Sequence, residues 1–176
     1  TLHICANKFH SYTINQEKCY DISIREEIKT MDQLENIISL IGNNMFATDR
    51  ISLHNKFGKE YANIRYKNWI RSNFNKENII IFQSYVKDKI AGFGMHKIES
   101  KKVYGLLGGV FEPYQSSGLF ASGLYSELKD YFSSGYNEFI VSISSNNISV
   151  MKLYMHLGFN VSEIKYVFHN FIEEDK

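Results

Sequence analysis

Asn147 and Tyr154 stand seven residues apart in the stretch Asn147-Ile148-Ser149-Val150-Met151-Lys152-Leu153-Tyr154-Met155-His156-Leu157-Gly158-Phe159. Seven residues is about two helical turns, so on a helix the two share a face. An amide and a phenol are both polar, proton-bearing groups. The plainer role for one of 12 tyrosines is core packing. Upstream, Val103–Phe111 runs into Glu112-Pro113-Tyr114-Gln115-Ser116-Ser117-Gly118-Leu119-Phe120 and then a helical pattern. A small-residue loop feeding a helix start is an anion cradle. First-turn N–H groups lack helical partners, and the helix dipole adds about half a positive charge. No Asp or Glu occurs from Pro113 to Ser126 to repel a phosphate. The plain alternative is a capped helix after a strand.

The elements that must position these residues can be read from periodicity. Cys19–Ile28 alternates through Tyr20, Ile22 and Ile24 as a strand. Asp32 is the expected N-cap of a helix carrying Leu34, Ile37, Ile38 and Ile41 and closed by Gly42. A second helix is predicted from about Glu60 to Ser72, with Ala62, Tyr66, Trp69 and Ile70 on one face. Three strands follow, Asn78–Val86, Ile90–Ile98 and Val103–Phe111, joined by short turns that make an antiparallel meander. A helix over Ala121–Phe132 then leads to a short buried strand, Phe139–Ile143, placed parallel by a right-handed crossover. Asn147 opens the next helix and Gly158 stops it. Ile164–Phe171 is the last expected strand. This is an α+β domain, a mixed and mostly antiparallel sheet flanked by helices. Seven of the 11 glycines fall between Gly92 and Gly123, where a backbone or a ligand is to come close. A bulge is the other reading of the Gly108-Gly109 pair.

Composition narrows the function. The 176 residues suit one domain, residues 1–176, and the absence of repeats or linkers gives no boundary. A formal charge of +1 argues against a general nucleic-acid binder. No apolar run approaches the ~18–20 residues of a membrane span. Cys5 and Cys19 read as reduced thiols rather than a bridge. With no leader-like segment near Thr1, the expected location is cytoplasmic.

With these residues in view, the sequence from about Cys19 to Phe171 resembles the Gcn5-related N-acetyltransferase (GNAT) superfamily, most strongly over 103–159. The family's loop Gln/Arg-x-x-Gly-x-Gly/Ala matches Gln115-Ser116-Ser117-Gly118-Leu119-Phe120. Its Asn-x(6)-Tyr-x(3)-Gly-Phe signature matches Asn147, Tyr154, Gly158 and Phe159. There are two departures. Phe120 stands where Gly or Ala is usual, and Pro113 lies one residue closer to Gln115 than usual. A bulky Phe120 is tolerable if its side chain enters the core while its N–H faces the phosphate.

The resemblance implies acetyl-CoA as co-substrate, a primary amine as acceptor and no metal. The strand Gly108–Val110 would pair with the pantetheine arm. The N–H groups of Gln115, Ser116, Ser117, Gly118, Leu119 and Phe120 would hold the diphosphate. Asn147 would touch the pantetheine or thioester, and Tyr154 would sit by the sulfur as general acid. The Val110 N–H is the natural oxyanion donor. Glu112, at the strand end, is the candidate base, with His96, His169 or a water relay as alternatives.

Acceptor choice turns on Phe46–Phe74, where six cations face two carboxylates, a surplus of +4. That suits a phosphorylated acceptor or the phosphates of CoA, against the plain reading of a solvated basic face. Thr48-Asp49-Arg50-Ile51 and Arg65-Tyr66-Lys67-Asn68-Trp69-Ile70 resemble the acceptor side of TDP-fucosamine acetyltransferase and related amino-sugar acetyltransferases. On that resemblance Arg50, Arg65, Tyr66 and Trp69 bound a nucleotide-sugar pocket, whereas Trp69 beside Tyr66 is otherwise a core anchor. The alternatives are a protein or peptide N-acetyltransferase, which would favour an open acidic groove, and an acyl-CoA-binding module without turnover. A homodimer is left open.

Overall fold

The computed structural model of the chain describes residues 2–8 and 24–168. Its strands are β1 (Leu2–Lys8), β2 (Ile24–Glu27), β3 (Ile79–Val86), β4 (Lys89–Glu99), β5 (Lys102–Val110), β6 (Glu138–Ser144) and β7 (Asn160–Lys165). Its helices are α1 (Met31–Leu40), α2 (Gly58–Asn73), α3 (Leu119–Ser133) and α4 (Ile148–His156). The seven strands form one sheet in the order β2-β3-β4-β5-β6-β1-β7. Only β5 and β6 pair in parallel; every other pair is antiparallel.

Alternation along β4 sorts the core into two layers. Phe93 and Met95 pack with Leu34, Ile37 and Ile38 of α1 and Ile70 of α2. Ile98 instead joins the layer of Val103, Leu124, Leu128, Phe139, Tyr154 and Leu157, under α3 and α4. Helices therefore cover both faces, and the sheet's small residues lie between them.

Several boundaries differ from expectation. Thr30, not Asp32, caps α1. Its Oγ1 accepts from Gln33 N at 3.3 Å while Thr30 N donates back to Gln33 Oε1 at 3.1 Å. This reciprocal box satisfies two orphan donors, which a lone Asp one turn in does not. Helix α3 begins at Leu119 rather than Ala121. The last described strand is β7, four residues earlier than the expected Ile164–Phe171. β1 has no counterpart among the elements expected from periodicity. It lies between β6 and β7, antiparallel to both, so its partners are 130 or more residues away in the chain. Cys19, Tyr20, Ile22 and His169 lie outside the described residues, as does the question of the two thiols.

Two irregularities shape the middle of the sheet. In β5 the register passes from Met95–Leu107 to His96–Gly105, which leaves Leu106 as the extra residue of a bulge. The bulge is therefore at Leu106, and the Gly108-Gly109 pair keeps regular register with Gly94 and Phe93. The parallel pairing of β5 with β6 runs only over Lys102–Gly105 and Glu138–Val141. Beyond Gly105 a gap opens between the two strands.

Candidate active site

That gap is the heart of a cavity of about 450 Å³. Leu106 to Val110 of β5 form one wall and Val141 to Ser144 of β6 the other. Antiparallel strands alternate pairs that exchange hydrogen bonds with pairs that do not. Phe111 N donates to Ala91 O at 2.8 Å, so Phe111 and Gly109 turn toward β4. Gly108 and Val110 then turn their N–H and C=O groups into the gap. The Val110 carbonyl there accepts from Gln115 Nε2 at 3.2 Å, and the Val110 N–H is left facing the cavity.

The loop from β5 to α3 is built for close approach. A 3-10 turn, Glu112–Tyr114, follows the strand. Ser116 and Gly118 both take left-handed backbone, with φ of 61° and 83°. Ser117 Oγ donates to Tyr114 O at 2.6 Å and accepts from Leu119 N at 3.3 Å. Gly118 caps α3 with no side chain of its own, so the first-turn N–H groups of Phe120 and Ala121 stay open to an anion. Phe120 packs against the α3 core while also lining the cavity, the arrangement a bulky residue at this position requires. Of the expected cradle, Leu119 N is thus taken by Ser117 Oγ and Gln115 N donates to Glu112 O at 3.3 Å, which leaves the N–H groups of Ser116, Ser117, Gly118 and Phe120 as the candidates for an anion.

Asn147 is the N-cap of α4, its side chain accepting from Val150 N at 3.4 Å. Tyr154 is buried with its ring edge-on to Phe159 at 4.8 Å. Both line the cavity, as the shared helical face required.

On the opposite side the same cavity is lined by Arg50, Arg65, Tyr66 and Trp69. Tyr66 donates from its hydroxyl to Asp49 Oδ1 at 2.6 Å, and burial together with that carboxylate holds the phenol well above its ordinary range. The Arg65 guanidinium lies 5.2 Å over the Tyr66 ring, and Arg50 Nη1 is 3.9 Å from Asp49. Arg50 Nε is buried without a hydrogen-bond partner among the described residues. Trp69 packs against the α1–α2 core layer too, so its anchor and lining roles coexist.

The structure does not gather every candidate. Gln115, Ser116, Ser117 and Gly118 lie on an exposed loop at the cavity's α3 end. Glu112 opens the 3-10 turn, exposed, and is absent from the cavity lining. β5 ends at Val110, so Glu112 falls past the strand end, near Gly42. His96 of β4 and Glu127 of α3, by contrast, do line the cavity. His96 is one of the alternative bases expected from the sequence. Glu127 is not among the expected site residues, although it sits among Leu124, Leu128 and Tyr131 on the apolar face of a helix, where a carboxylate is out of place.

His96 Nδ1 is 2.8 Å from Tyr131 Oη, and its Nε2 is 3.6 Å from Glu127 Oε2. Burial, reinforced by the Arg25 charge, pushes His96 down to about 3 from 6.5. Burial, opposed by Arg25, pushes Glu127 up to about 7 from 4.5. The signs are opposite. Falling pH costs stability through His96, because the unfolded imidazole takes the proton first, between 6.5 and 3. Over 7 to 4.5 it adds stability through Glu127, because the folded carboxyl takes the proton first. The difference Tm(pH 5) − Tm(pH 7) is therefore expected to be more positive than wild type in His96→Gln and more negative in Glu127→Gln. Thermal scans at the two pH values check this.

Among the described residues no group of His, Cys, Asp and Glu could hold a metal ion, and no helix is long and apolar enough to cross a membrane. Residues 33–174 match the family model of the acetyltransferase (GNAT) domain. No protein of curated function matches the chain in sequence. Solved structures do match in fold. The Escherichia coli ribosomal-protein-S18-alanine N-acetyltransferase matches at 19% identity and TM-score 0.56, over 78% of this chain and 77% of that one. The PaiA N-acetyltransferase of Thermoplasma acidophilum, in complex with coenzyme A, matches at 16% and 0.53, over 76% and 88%. An aminoglycoside acetyltransferase from an uncultured soil metagenomic sample matches at 15% and 0.51, over 86% and 96%.

Proposed function

The chain belongs to the GNAT acetyltransferases, N-acetyltransferases that draw on acetyl-CoA, and from that premise we propose that it acetylates the primary amine of a phosphate-bearing acceptor, a nucleotide-linked amino sugar. The observation that carries this reading is the presence of Arg50 and Arg65 in the same cavity as the open N–H groups of β5 and the phenol of Tyr154. A planar guanidinium matches phosphate oxygens two at a time. Arg50 also has a buried Nε with no partner among the described residues, which an acceptor oxygen would satisfy. Tyr66 and Trp69 offer aromatic faces to a sugar or a base.

In this reading the loop holds the diphosphate on the backbone N–H groups of Ser116, Ser117, Gly118 and Phe120, and Gly108 and Val110 pair with the pantetheine. Asn147 fixes the end of the cofactor nearest α4. The neutral amine attacks the thioester carbonyl directly. The Val110 N–H donates to the oxyanion as it forms, with no reorganisation needed because the strand already holds it. Tyr154 protonates the departing sulfur.

The test is free-thiol release from acetyl-CoA across TDP- and UDP-linked amino sugars, polyamines, aminoglycosides and N-terminal peptides. Turnover confined to nucleotide sugars supports the reading, and preference for a peptide or a polyamine overturns it. Arg50→Ala and Arg65→Ala are each expected to raise the acceptor KM roughly ten- to hundredfold, the scale of a lost charge-assisted hydrogen bond of about 1.5–3 kcal/mol. The KM for acetyl-CoA stays within about twofold. Equal losses for both substrates would assign the cations to the phosphates of CoA instead.

A further inference from the structure

We propose that Glu127 is the proton acceptor of the cavity, the carboxylate that takes the proton the attacking amine sheds. The proposal rests on the acetyl-transfer reading above and names the base that reading leaves open.

The cavity holds two carboxylates, Asp49 and Glu127. Asp49 is committed: Oδ1 accepts from Tyr66 at 2.6 Å and Oδ2 from Ile51 N at 2.8 Å. Glu127 is different. Its Oε1 is 3.9 Å from Arg25 Nη1 and its Oε2 3.6 Å from His96 Nε2, both beyond hydrogen-bond reach. Its side chain keeps 13% exposure and lines the cavity. A carboxylate on the core face of a helix, nearly buried and without a hydrogen bond among the described residues, is costly to keep. A role in the cavity would account for it.

Position supports the same role. His96 pairs with Gly105, the last β5 residue paired with β6, so the two groups stand where the gap begins. Gly108 and Val110, which in that reading hold the pantetheine and the thioester carbonyl, line the same cavity as His96 and Glu127. Gly94, Gly105 and Ser84 also line the cavity there, and the Phe82 ring packs over Gly94 and beside His96.

The groups facing Glu127 are few. Arg25 of β2 approaches it and also pairs with Asp130. His96 comes from β4. β3 brings Phe82 and Ser84 to the same face without charge, and α3 itself adds Asp130 and Tyr131. His96 is neutral in this setting, and a carboxyl raised to about 7 accepts and releases protons at working pH.

The step balances. The amine nitrogen bonds to the acetyl carbon, and one N–H proton passes to a Glu127 oxygen, directly or through a cavity water. The C–S bond breaks with its electron pair on sulfur, which takes the Tyr154 proton. Glu127 then releases its proton to solvent and Tyr154 regains one, leaving an amide and a free thiol.

Glu127→Gln keeps the shape and removes the base. With a UDP- or TDP-linked amino sugar as probe, the full-length variant is expected to lose about a hundredfold in kcat, at the low end of the usual contribution of general base catalysis. Acetyl-CoA KM stays within about twofold, and the limb of the pH profile near 7 disappears. Asp130→Asn, which touches Arg25 but not the cavity, leaves that limb in place. An unchanged kcat and profile in Glu127→Gln overturns the proposal. If the wild type turns over none of the probe amines, the amino-sugar reading falls separately. A measurement without turnover then decides Glu127: the infrared carboxyl band present in wild type and absent in Glu127→Gln. Its loss with a midpoint near pH 7 supports the assignment, and a group already ionised at pH 5 refutes it.

Discussion

Gly118→Glu is expected to abolish acetyl-CoA binding, weakening it by a hundredfold or more. Two effects act together at this residue. Gly118 holds φ of 83° at the N-cap of α3, where any residue with a Cβ pays roughly 1–2 kcal/mol. A carboxylate there also sits against the first-turn N–H groups that the proposed reading gives to a diphosphate. At 4 Å and an effective dielectric of about 20, like unit charges repel by about 4 kcal/mol. The added carboxylate can further bond those N–H groups itself and so close the cradle. Two controls separate charge from strain. Gly118→Ala carries the backbone cost without the charge and should lose far less affinity. Gly135 has a similar φ of 85° at the far end of α3, where an added Cβ would meet nothing within 4 Å, so Gly135→Glu carries charge and strain away from the cradle. Calorimetric titration with acetyl-CoA reads all three. Binding by Gly118→Glu within about threefold of wild type would remove the loop as the diphosphate site.

The parts of this site that are legible in the sequence are those whose physics is local. Gly118 ahead of an acid-free helix start, Asn147 as a cap and Gly158 as a stop each act within one turn of chain. Spacing alone puts Asn147 and Tyr154 on one face, and both line the cavity. The meander β3-β4-β5 follows from its short turns. What is not legible depends on partners distant in sequence. β1 pairs with β6 and β7 across the whole chain, and nothing in Leu2–Lys8 announces those neighbours. The Leu106 bulge arises from register between β4 and β5, and only the paired strands reveal it. Glu112 follows the strand in sequence, which makes it a candidate base, but the chain turns at Phe111 and carries it to the outside. Two local signals are stronger than the ones that periodicity brings forward. Thr30 with Gln33 three residues on is a capping box, a better helix start than Asp32 alone. Glu127 interrupts the apolar face of α3.

Tyr154→Phe is expected to lower kcat about a hundredfold while leaving acetyl-CoA affinity within twofold. The substitution removes one oxygen and keeps the ring, so the edge-on packing against Phe159 at 4.8 Å and the surrounding core survive. A core tyrosine would show its loss in Tm, whereas a general acid shows it in turnover. The size of the effect follows from the leaving group. A thiol ionises near pH ~8.5, so the departing sulfur is a weaker base than an alkoxide and needs help chiefly below that value. Proton transfer by a placed group contributes about 10²–10⁴-fold, and a sulfur leaving group belongs at the low end. The deficit should therefore be widest at pH 6–7 and shrink toward pH 9, where thiolate departs unaided. A slow release step could conceal this in steady state, so the rate of amide formation is best taken from single turnovers with enzyme in excess. Equal single-turnover rates for the two proteins at pH 7 would leave Tyr154 as a packing residue. The sulfur would then depart as thiolate, stabilised by the fixed N–H groups that line the gap between β5 and β6.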